Sequence, residues 1–169
     1  MNYYTNNINF RAGMPSNYPA TAPAPITPTM PAKKTDYGPN PFVVDINKAS
    51  LENSTYRTAL WTGKHLQLTL MSLLPGEDIG LEVHPNVDQF LRVEDGVGVA
   101  MMGQTQHNLN FQQPVFSDYA IFIPAGSWHN VINTGDRPMK LYSIYAPPNH
   151  PFGTIHQTKA IAEAAEAKQ

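Results

Sequence analysis

The middle of the chain consists of short apolar segments interrupted every few residues by Gly, Pro, Asn or Asp. Between residues 42 and 148 these interruptions leave about seven or eight segments of strand length. The clearest of them are 66–73, 90–93, 97–102, 119–123 and 140–145. Strands do not alternate with helical segments, so a parallel sheet is not indicated. The pattern predicts an all-β sandwich or barrel.

The two ends of the chain differ from this middle part. Residues 1–41 are rich in proline, with Asn, Thr, Ala and Tyr filling most of the rest. This predicts an extended or disordered arm, which is either a solvated leader or a segment draped over a neighbouring subunit. Residues 42–150 would form the β domain. Residues 151–169 are a C-terminal extension whose Ala- and Glu-rich end predicts a short helix.

Composition excludes several classes of function. The chain has 11 basic and 13 acidic residues and a formal charge of −2, with no basic run that would attract nucleic acid or an anionic membrane. It contains no cysteine, which excludes disulfides and thiolate ligands. No signal-peptide pattern and no apolar stretch of about 20 residues is present. These features predict a soluble, cytoplasmic protein whose partner is a small molecule.

Four residues with metal-binding side chains occur in two short stretches. Glu82, His84 and Gln89 lie in the first stretch, and His129 lies in the second. Side chains two positions apart on a strand point the same way, so Glu82 and His84 would share a face. Imidazole nitrogens with carboxylate and amide oxygens suit one divalent transition metal ion, such as Zn, Fe, Mn, Ni or Co. The four residues are therefore predicted metal ligands.

The spacing of both stretches resembles the paired motifs of the cupin superfamily. The first motif falls on Gly76, Glu82, His84, Gln89 and Gly96, and the second on Asp118, Pro124, Gly126, His129 and Asn133. More closely, the chain is similar to small single-domain bacterial cupins of the mannose-6-phosphate isomerase-like type. The resemblance covers roughly residues 42–148. It implies an antiparallel jelly-roll barrel, a metal site at its mouth and a homodimer.

Three positions depart from the family pattern. Glu82 stands where the family has histidine, Gln89 where it has glutamate, and Asp118 where it has glycine. A neutral Gln ligand leaves a more Lewis-acidic metal, which favours redox-neutral chemistry such as isomerisation of a small sugar-like or carbonyl substrate. Glu82 or a bound water would move protons. A non-catalytic metal-containing binding or assembly module and a metal-dependent dioxygenase remain alternatives.

Substrate contacts are less clearly indicated. Arg57, Lys64 and Tyr142 are candidates, although the two cations would also suit a solvated turn. Tyr142 and Tyr145 are three positions apart and face opposite sides of a strand, and the pattern does not say which faces the pocket. Strand 66–73 has the same ambiguity. His150 and His156 follow a proline-rich exit from the barrel, and they either cap its mouth or lie on its outside, with the outside favoured.

Overall fold

The computed structural model describes residues 35–167, which belong to the compact unit Lys33–Gln169. The predicted arm at residues 1–34 lies outside the described residues. Nine strands and two helices follow one another in the described part of the chain. In order they are α1 (Ile46–Glu52), β1 (Arg57–Thr62), β2 (Gln67–Leu73), β3 (Asp88–Asp95), β4 (Val97–Gly103), β5 (Phe111–Phe116), β6 (Ala120–Ile123), β7 (Trp128–Asn133), β8 (Met139–Ala146), β9 (Ile155–His156) and α2 (Lys159–Glu166).

The strands form two antiparallel sheets. One has the order β6-β3-β8-β2-β1-β9 and the other the order β5-β4-β7. Consecutive and distant strands are interleaved in both sheets, as in a jelly roll. The apolar core consists mainly of Met71, Leu73, Ile79, Leu91, Val93, Ala100, Val115, Ile121, Ile123, Val131, Met139 and Leu141. The predicted all-β jelly-roll fold is confirmed.

The register of β2 with β8 identifies the side chains that point into the barrel. On β2 they are Gln67, Thr69, Met71 and Leu73, which pair with Tyr145, Ser143, Leu141 and Met139. The sequence left this choice open, because Leu68 and Leu70 would also make an apolar inner face. Leu70 is only 5% exposed because α1 packs against the outer side of β2. Burial on both faces removes the alternation from which an inner face is predicted.

Two tight turns explain residues of the family motifs. Gly96 joins β3 to β4 with φ of 104°, and a Cβ at this position would lie 2.9 Å from the Cα of Met139. Asp118 has φ of 72° although it is not glycine. Asp tolerates the left-handed region better than most residues, and its carboxylate accepts a hydrogen bond of 2.6 Å from Arg92. The departure from glycine at position 118 therefore keeps the turn.

The segments that flank the barrel are packed against it. Asp36 is buried, and its carboxylate accepts hydrogen bonds from Gly38 N, Thr62 Oγ1 and Gly153 N. Residues 35–41, which the sequence assigns to the arm, are thus attached to β1. The predicted C-terminal helix is confirmed as α2, and its Ala162 is part of the core. Neither helix of residues 35–167 is long and apolar enough to cross a membrane.

Candidate metal centre

Three of the four predicted ligands converge inside the barrel. Oε1 of Glu82 lies 3.2 Å from Nε2 of His84 and 3.4 Å from Nε2 of His129. The ligand atoms of these three residues all lie within 4.8 Å of one another. Their side chains are 17%, 11% and 1% exposed, respectively, so the cluster is screened from bulk water. The spacing is short enough for one ion to contact all three atoms.

Backbone pairing brings the two distant stretches together. The N–H of Glu82 donates to the carbonyl of His129, and the N–H of His129 donates to the carbonyl of Glu82. The N–H of Gly126 donates to the carbonyl of His84. The Glu82 segment therefore lies as a short antiparallel partner beside β7. This pairing fixes the positions of three ligands on two neighbouring segments of backbone.

Gln89, the fourth predicted ligand, lies at the start of β3. Its backbone is held between β6 and β8, where it pairs with Ile123 and Tyr145. The side chain is buried, and its Nε2 donates to Oγ of Ser143 at 2.9 Å. This hydrogen bond assigns the amide orientation, because the nitrogen is the donor and the oxygen is left over. The remaining Oε1 is the atom available for a ligand role.

In all four residues the atom that would coordinate a metal is buried and lacks a hydrogen-bond partner among residues 35–167. They are Glu82 Oε1, His84 Nε2, Gln89 Oε1 and His129 Nε2. Buried polar atoms are normally paired, and each unpaired one costs about 1–3 kcal/mol. Four such atoms on four predicted ligands are best explained by a shared cation. The residues therefore fit a metal ion.

The tautomer of His129 strengthens this fit. Its Nδ1 lies 2.9 Å from the carbonyl oxygen of Ser127, which can only accept a hydrogen bond. Nδ1 therefore carries a proton, and Nε2 is the ring atom that lies 3.4 Å from the carboxylate of Glu82. A backbone carbonyl that orients the ring is also typical of metal-ligating histidines.

The pKa of Glu82 favours the ligand role. Burial would raise the pKa of this carboxyl, but the imidazoles of His129 and His84 and the charge of Arg57 outweigh burial and hold the pKa at about 2. The carboxylate is consequently ionised at neutral pH. Such a group binds a cation well but donates protons poorly. The structure thus supports ligation by Glu82 more strongly than the proton transfer that the sequence also suggested.

The three predicted substrate contacts have different locations. Arg57 is fully buried, and its Nη1 donates to Oε1 of Glu166 at 2.7 Å. Burial would lower the pKa of Arg57, but Tyr145 and Glu82 outweigh burial and raise it. Arg57 lies opposite Met71, on the inner face of the sheet. Lys64 is exposed in the turn between β1 and β2. Tyr142 lies on the outer face of β8 beside Phe90, so neither Lys64 nor Tyr142 belongs to the buried cluster.

Tyr145 and His150 approach the cluster, and of the two tyrosines left open by the sequence Tyr145 is the one on this side. The ring of Tyr145 lies 5.9 Å from that of His84 and 5.0 Å from that of His150. Burial raises the pKa of Tyr145 to about 12. Burial and the charge of Arg57 lower the pKa of His150 to about 3, so its imidazole is neutral. The predicted outside position of His150 is corrected by these contacts.

Gln67 explains why His150 turns inward. This residue is fully buried, and its Oε1 accepts hydrogen bonds from the N–H groups of Asn149 and His150. Its Nε2 donates to the carbonyl of His150 at 2.8 Å. A single side chain therefore holds the loop after β8 over the open end of the site. The polar inner face of β2 was a possible clue, but the pairing with residues 149–150 could not be read from the sequence.

Comparisons with known proteins agree with this architecture. Residues 69–145 match the family described as Cupin domain. The uncharacterized protein YrkC of Bacillus subtilis is 70% identical over 131 residues, which cover 78% of this chain and 70% of YrkC. The uncharacterized protein L612 of Acanthamoeba polyphaga mimivirus is 42% identical over 115 residues, covering 68% of this chain and 70% of L612.

A solved structure is similar over nearly its whole length. The crystal structure of BH2720 from Bacillus halodurans is 67% identical to this protein, with a TM-score of 0.76. The similarity covers 77% of this chain and 98% of BH2720. Sequence motifs, jelly-roll topology and family match thus agree, and the protein belongs to the cupin superfamily.

Proposed function

We propose that this protein is a metal-dependent enzyme that acts on a small polar substrate, sugar-like or carbonyl, by redox-neutral chemistry such as isomerisation. One observation supports this proposal most strongly. Four buried atoms that could coordinate a metal have no hydrogen-bond partner in the described residues, and they belong to Glu82, His84, Gln89 and His129. A bound divalent ion would supply Lewis acidity for a carbonyl or hydroxyl oxygen. The narrower resemblance to mannose-6-phosphate isomerase-like cupins supports this reaction class.

The ligand set favours a reaction without redox change. Glu82 is the only charged group among the four proposed ligands. With a divalent ion the net charge of the first shell would be about +1, which stabilises negative charge on a substrate oxygen. Gln89 contributes a neutral amide oxygen, whose orientation is set by Ser143. These features suit polarisation of a carbonyl better than activation of oxygen.

Isomerisation also needs groups that move a proton. Oη of Tyr145 and Nε2 of His150 are buried next to the cluster and lack a partner among residues 35–167. The phenol of Tyr145 can donate a proton to a substrate oxygen. The imidazole of His150, whose pKa is lowered to about 3, is a weak base that can accept a hydrogen bond from the substrate.

Metal analysis of protein purified without added metal tests the proposed site. We expect about one equivalent of divalent ion in the natural protein and almost none in His84→Ala or His129→Ala. The matched control is His107→Ala, which removes an exposed histidine in the β4–β5 connection. Metal that persists unchanged in both ligand variants, or is absent from the natural protein, would contradict the site.

Proton exchange separates an enzyme from a binding module. Isomerisation of sugars and 2-hydroxy carbonyl compounds in D2O places deuterium on carbon, which NMR detects. We expect deuterium incorporation that is lost in His84→Ala together with the metal. Exchange in no member of an aldose, ketose and sugar phosphate panel would favour the binding module. Oxygen uptake with the same panel would instead favour a dioxygenase.

We also propose a homodimer formed through the exposed edge of the barrel. Phe122 on β6 is 71% exposed, and Phe111 and Phe116 on β5 are 51% and 46% exposed. Strands β5 and β6 end their respective sheets, and exposed apolar edge strands invite pairing. Sedimentation velocity should show a dimer that Phe122→Ser weakens and Phe152→Ser does not. A monomeric natural protein would contradict the proposal.

A further inference from the structure

A second group of buried polar atoms without partners lies beside the metal cluster. Within residues 35–167 it comprises Nε and Nη2 of Arg57, Oη of Tyr145, Nε2 of His150 and Oγ1 of Thr69. A bound cation cannot satisfy Nε and Nη2 of Arg57, because a cation does not accept hydrogen bonds from N–H groups. Something else in the site must accept them, since unpaired buried donors are costly.

Arg57 identifies the kind of acceptor. Its side chain is 0% exposed, and its guanidinium remains charged at any ordinary pH. Nη1 is occupied by Glu166 at 2.7 Å. The two free donors, Nε–H and Nη2–H, lie on the same edge of the planar group and point in parallel. This is the fork that matches the two oxygens of a carboxylate.

The remaining unpaired groups connect this fork to the metal cluster. Tyr145 stacks edge-on against His84 at 5.9 Å and against His150 at 5.0 Å. Cross-strand pairing places Arg57 opposite Met71, two residues from Thr69 on the inner face of β2. Arg57 thus shares the inner face of the sheet with Thr69, whose cross-strand partner Ser143 accepts the hydrogen bond from Gln89.

The balance of charge also favours an anion. Glu82 would leave the proposed metal shell with about one positive charge when a divalent ion is bound. Arg57 adds another, which is offset in part by Glu166, whose side chain is 44% exposed. Opposite charge from an exposed carboxylate is screened by water. A neutral sugar would leave this positive charge uncompensated.

We propose that Arg57 binds the carboxylate of a small acid whose adjacent oxygen faces the metal cluster, with Tyr145 as a second donor. The substrate class is then a 2-hydroxy or 2-oxo acid, which includes sugar acids. This inference rests on the proposed metal-dependent function and narrows its substrate. Arg57 is a substrate-binding residue in this arrangement, and the carboxylate would orient the neighbouring carbon for proton transfer.

Calorimetric titration with glycolate and glycolamide tests the substrate class. The two probes have nearly the same shape and an identical hydroxyl, and differ in the charge of the carboxyl group. We expect glycolate to bind metal-containing protein at least about tenfold more tightly than glycolamide, because charge-assisted hydrogen bonds are about twice as strong as neutral ones. Equal binding of the two probes, or binding of neither, overturns the proposal.

Two variants test which side chains cause the preference for glycolate over glycolamide. Arg57→Lys keeps the charge but removes the parallel donors, and we expect it to weaken glycolate binding by about tenfold or more. Tyr145→Phe removes a hydroxyl that has no partner in the described residues, so it should fold normally and weaken glycolate binding by a few-fold. Lys64→Gln, which removes an exposed cation, is the control and should leave binding unchanged. An undiminished preference for glycolate in Tyr145→Phe and Arg57→Lys overturns the proposal.

Metal-free protein distinguishes failure of this inference from failure of the metal site. Acetate and acetamide are titrated after chelation, with metal content measured on the same sample. Acetate binding that depends on Arg57 supports the carboxylate pocket even where no metal copurifies. Metal binding with no preference for acetate or glycolate over the amides overturns the pocket and leaves the proposed metal site intact.

Discussion

The two halves of the barrel interior are lined by the same strands but differ in the polarity of their side chains. Toward one end, the inward side chains of β2, β3, β7 and β8 are apolar, and they include Met71, Leu91, Val131 and Leu141. Toward the other end, the same strands carry Gln67, Gln89, His129 and Tyr145, which are all buried and polar. The apolar half needs no ligand, whereas several buried polar atoms of the polar half have no hydrogen-bond partner among residues 35–167.

Asn133 and Gln89 show this difference between residues of similar chemistry. Asn133 lies in the apolar half, donates to the carbonyls of Leu73 and Arg137, and accepts from the N–H of Gly135. Gln89 lies in the polar half, and its oxygen has no hydrogen-bond partner among residues 35–167. Buried amides normally satisfy all their hydrogen bonds, as Asn133 does. The exception at Gln89 therefore indicates a site that gives up stability for ligand binding.

Leu91→Ala should produce the largest loss of stability. Leu91 is 1% exposed and packs in the core two positions from Gln89 on the same strand. Removing its side chain leaves a cavity and should lower the free energy of unfolding by about 2–5 kcal/mol. Urea denaturation measures this loss, and metal content should remain at the natural level. Loss of metal from a folded Leu91→Ala protein would show that the two halves are not independent.

His150 should make stability depend on pH. Its pKa is lowered from 6.5 to about 3, mainly by burial. As the pH falls below about 6.5, the unfolded chain takes up a proton that the folded protein refuses until about pH 3. Stability is therefore fully present above pH 6.5 and should fall by up to about 3 kcal/mol by pH 4.

The comparison of two histidine variants isolates this contribution. His150→Asn should flatten the fall in unfolding free energy between pH 7 and pH 4. His107→Asn, at an exposed position, should leave the slope of the natural protein unchanged. Urea denaturation at several pH values supplies the measurement. Equal slopes in all three proteins would place His150 in contact with water, outside the polar half.

Gln89→Leu should affect metal binding more than the stability of the metal-free protein. The substitution removes an unpaired buried oxygen together with the hydrogen bond to Ser143. We expect a change within about 1 kcal/mol in the metal-free protein, in either direction, since two partly cancelling terms are lost. Metal affinity should fall by about tenfold or more. A metal affinity equal to that of the natural protein would remove Gln89 from the ligand set.

Asp118→Gly should have the smallest effect. Glycine removes the strain of φ at 72° but loses the hydrogen-bonded ion pair with Arg92. The side chain of Asp118 in this pair is 80% exposed. The two terms nearly cancel, and we expect a change of less than about 0.5 kcal/mol in unfolding free energy. Gly96→Ala is the informative contrast, because a Cβ there meets the backbone of Met139. A large loss of unfolding free energy in Asp118→Gly would show that the ion pair with Arg92 contributes more to stability than expected.

The sequence predicted the ligands better than it predicted their surroundings. Local spacing within two motifs indicates the ligands Glu82, His84, Gln89 and His129. Such spacing can be read from a single sequence. The fold groups Glu82, His84 and His129 as expected, and ligation by any of the four residues stays a prediction. Lys64 and Tyr142 were chosen for chemical type alone, and the structure places them outside the buried cluster.

The surroundings were missed because they depend on contacts between distant segments. Tyr145 could have faced either side of its strand until the register with Gln67 was known. His150 turns inward because Gln67, far away along the chain, binds the backbone of its loop. Arg57 was predicted beside a turn, yet it is buried by α2 through Glu166. No local pattern encodes these pairings.

By itself, the sequence determined the all-β architecture, the short C-terminal helix and the identity of the candidate ligands. These features rest on spacing, alternation and turn residues, which act over a few positions of the chain. The tertiary structure alone decided which face of β2 and β8 lines the site, and which buried donors remain unpaired. Pairing is a property of complete surroundings, because an atom is unsatisfied only when every neighbouring segment has been placed.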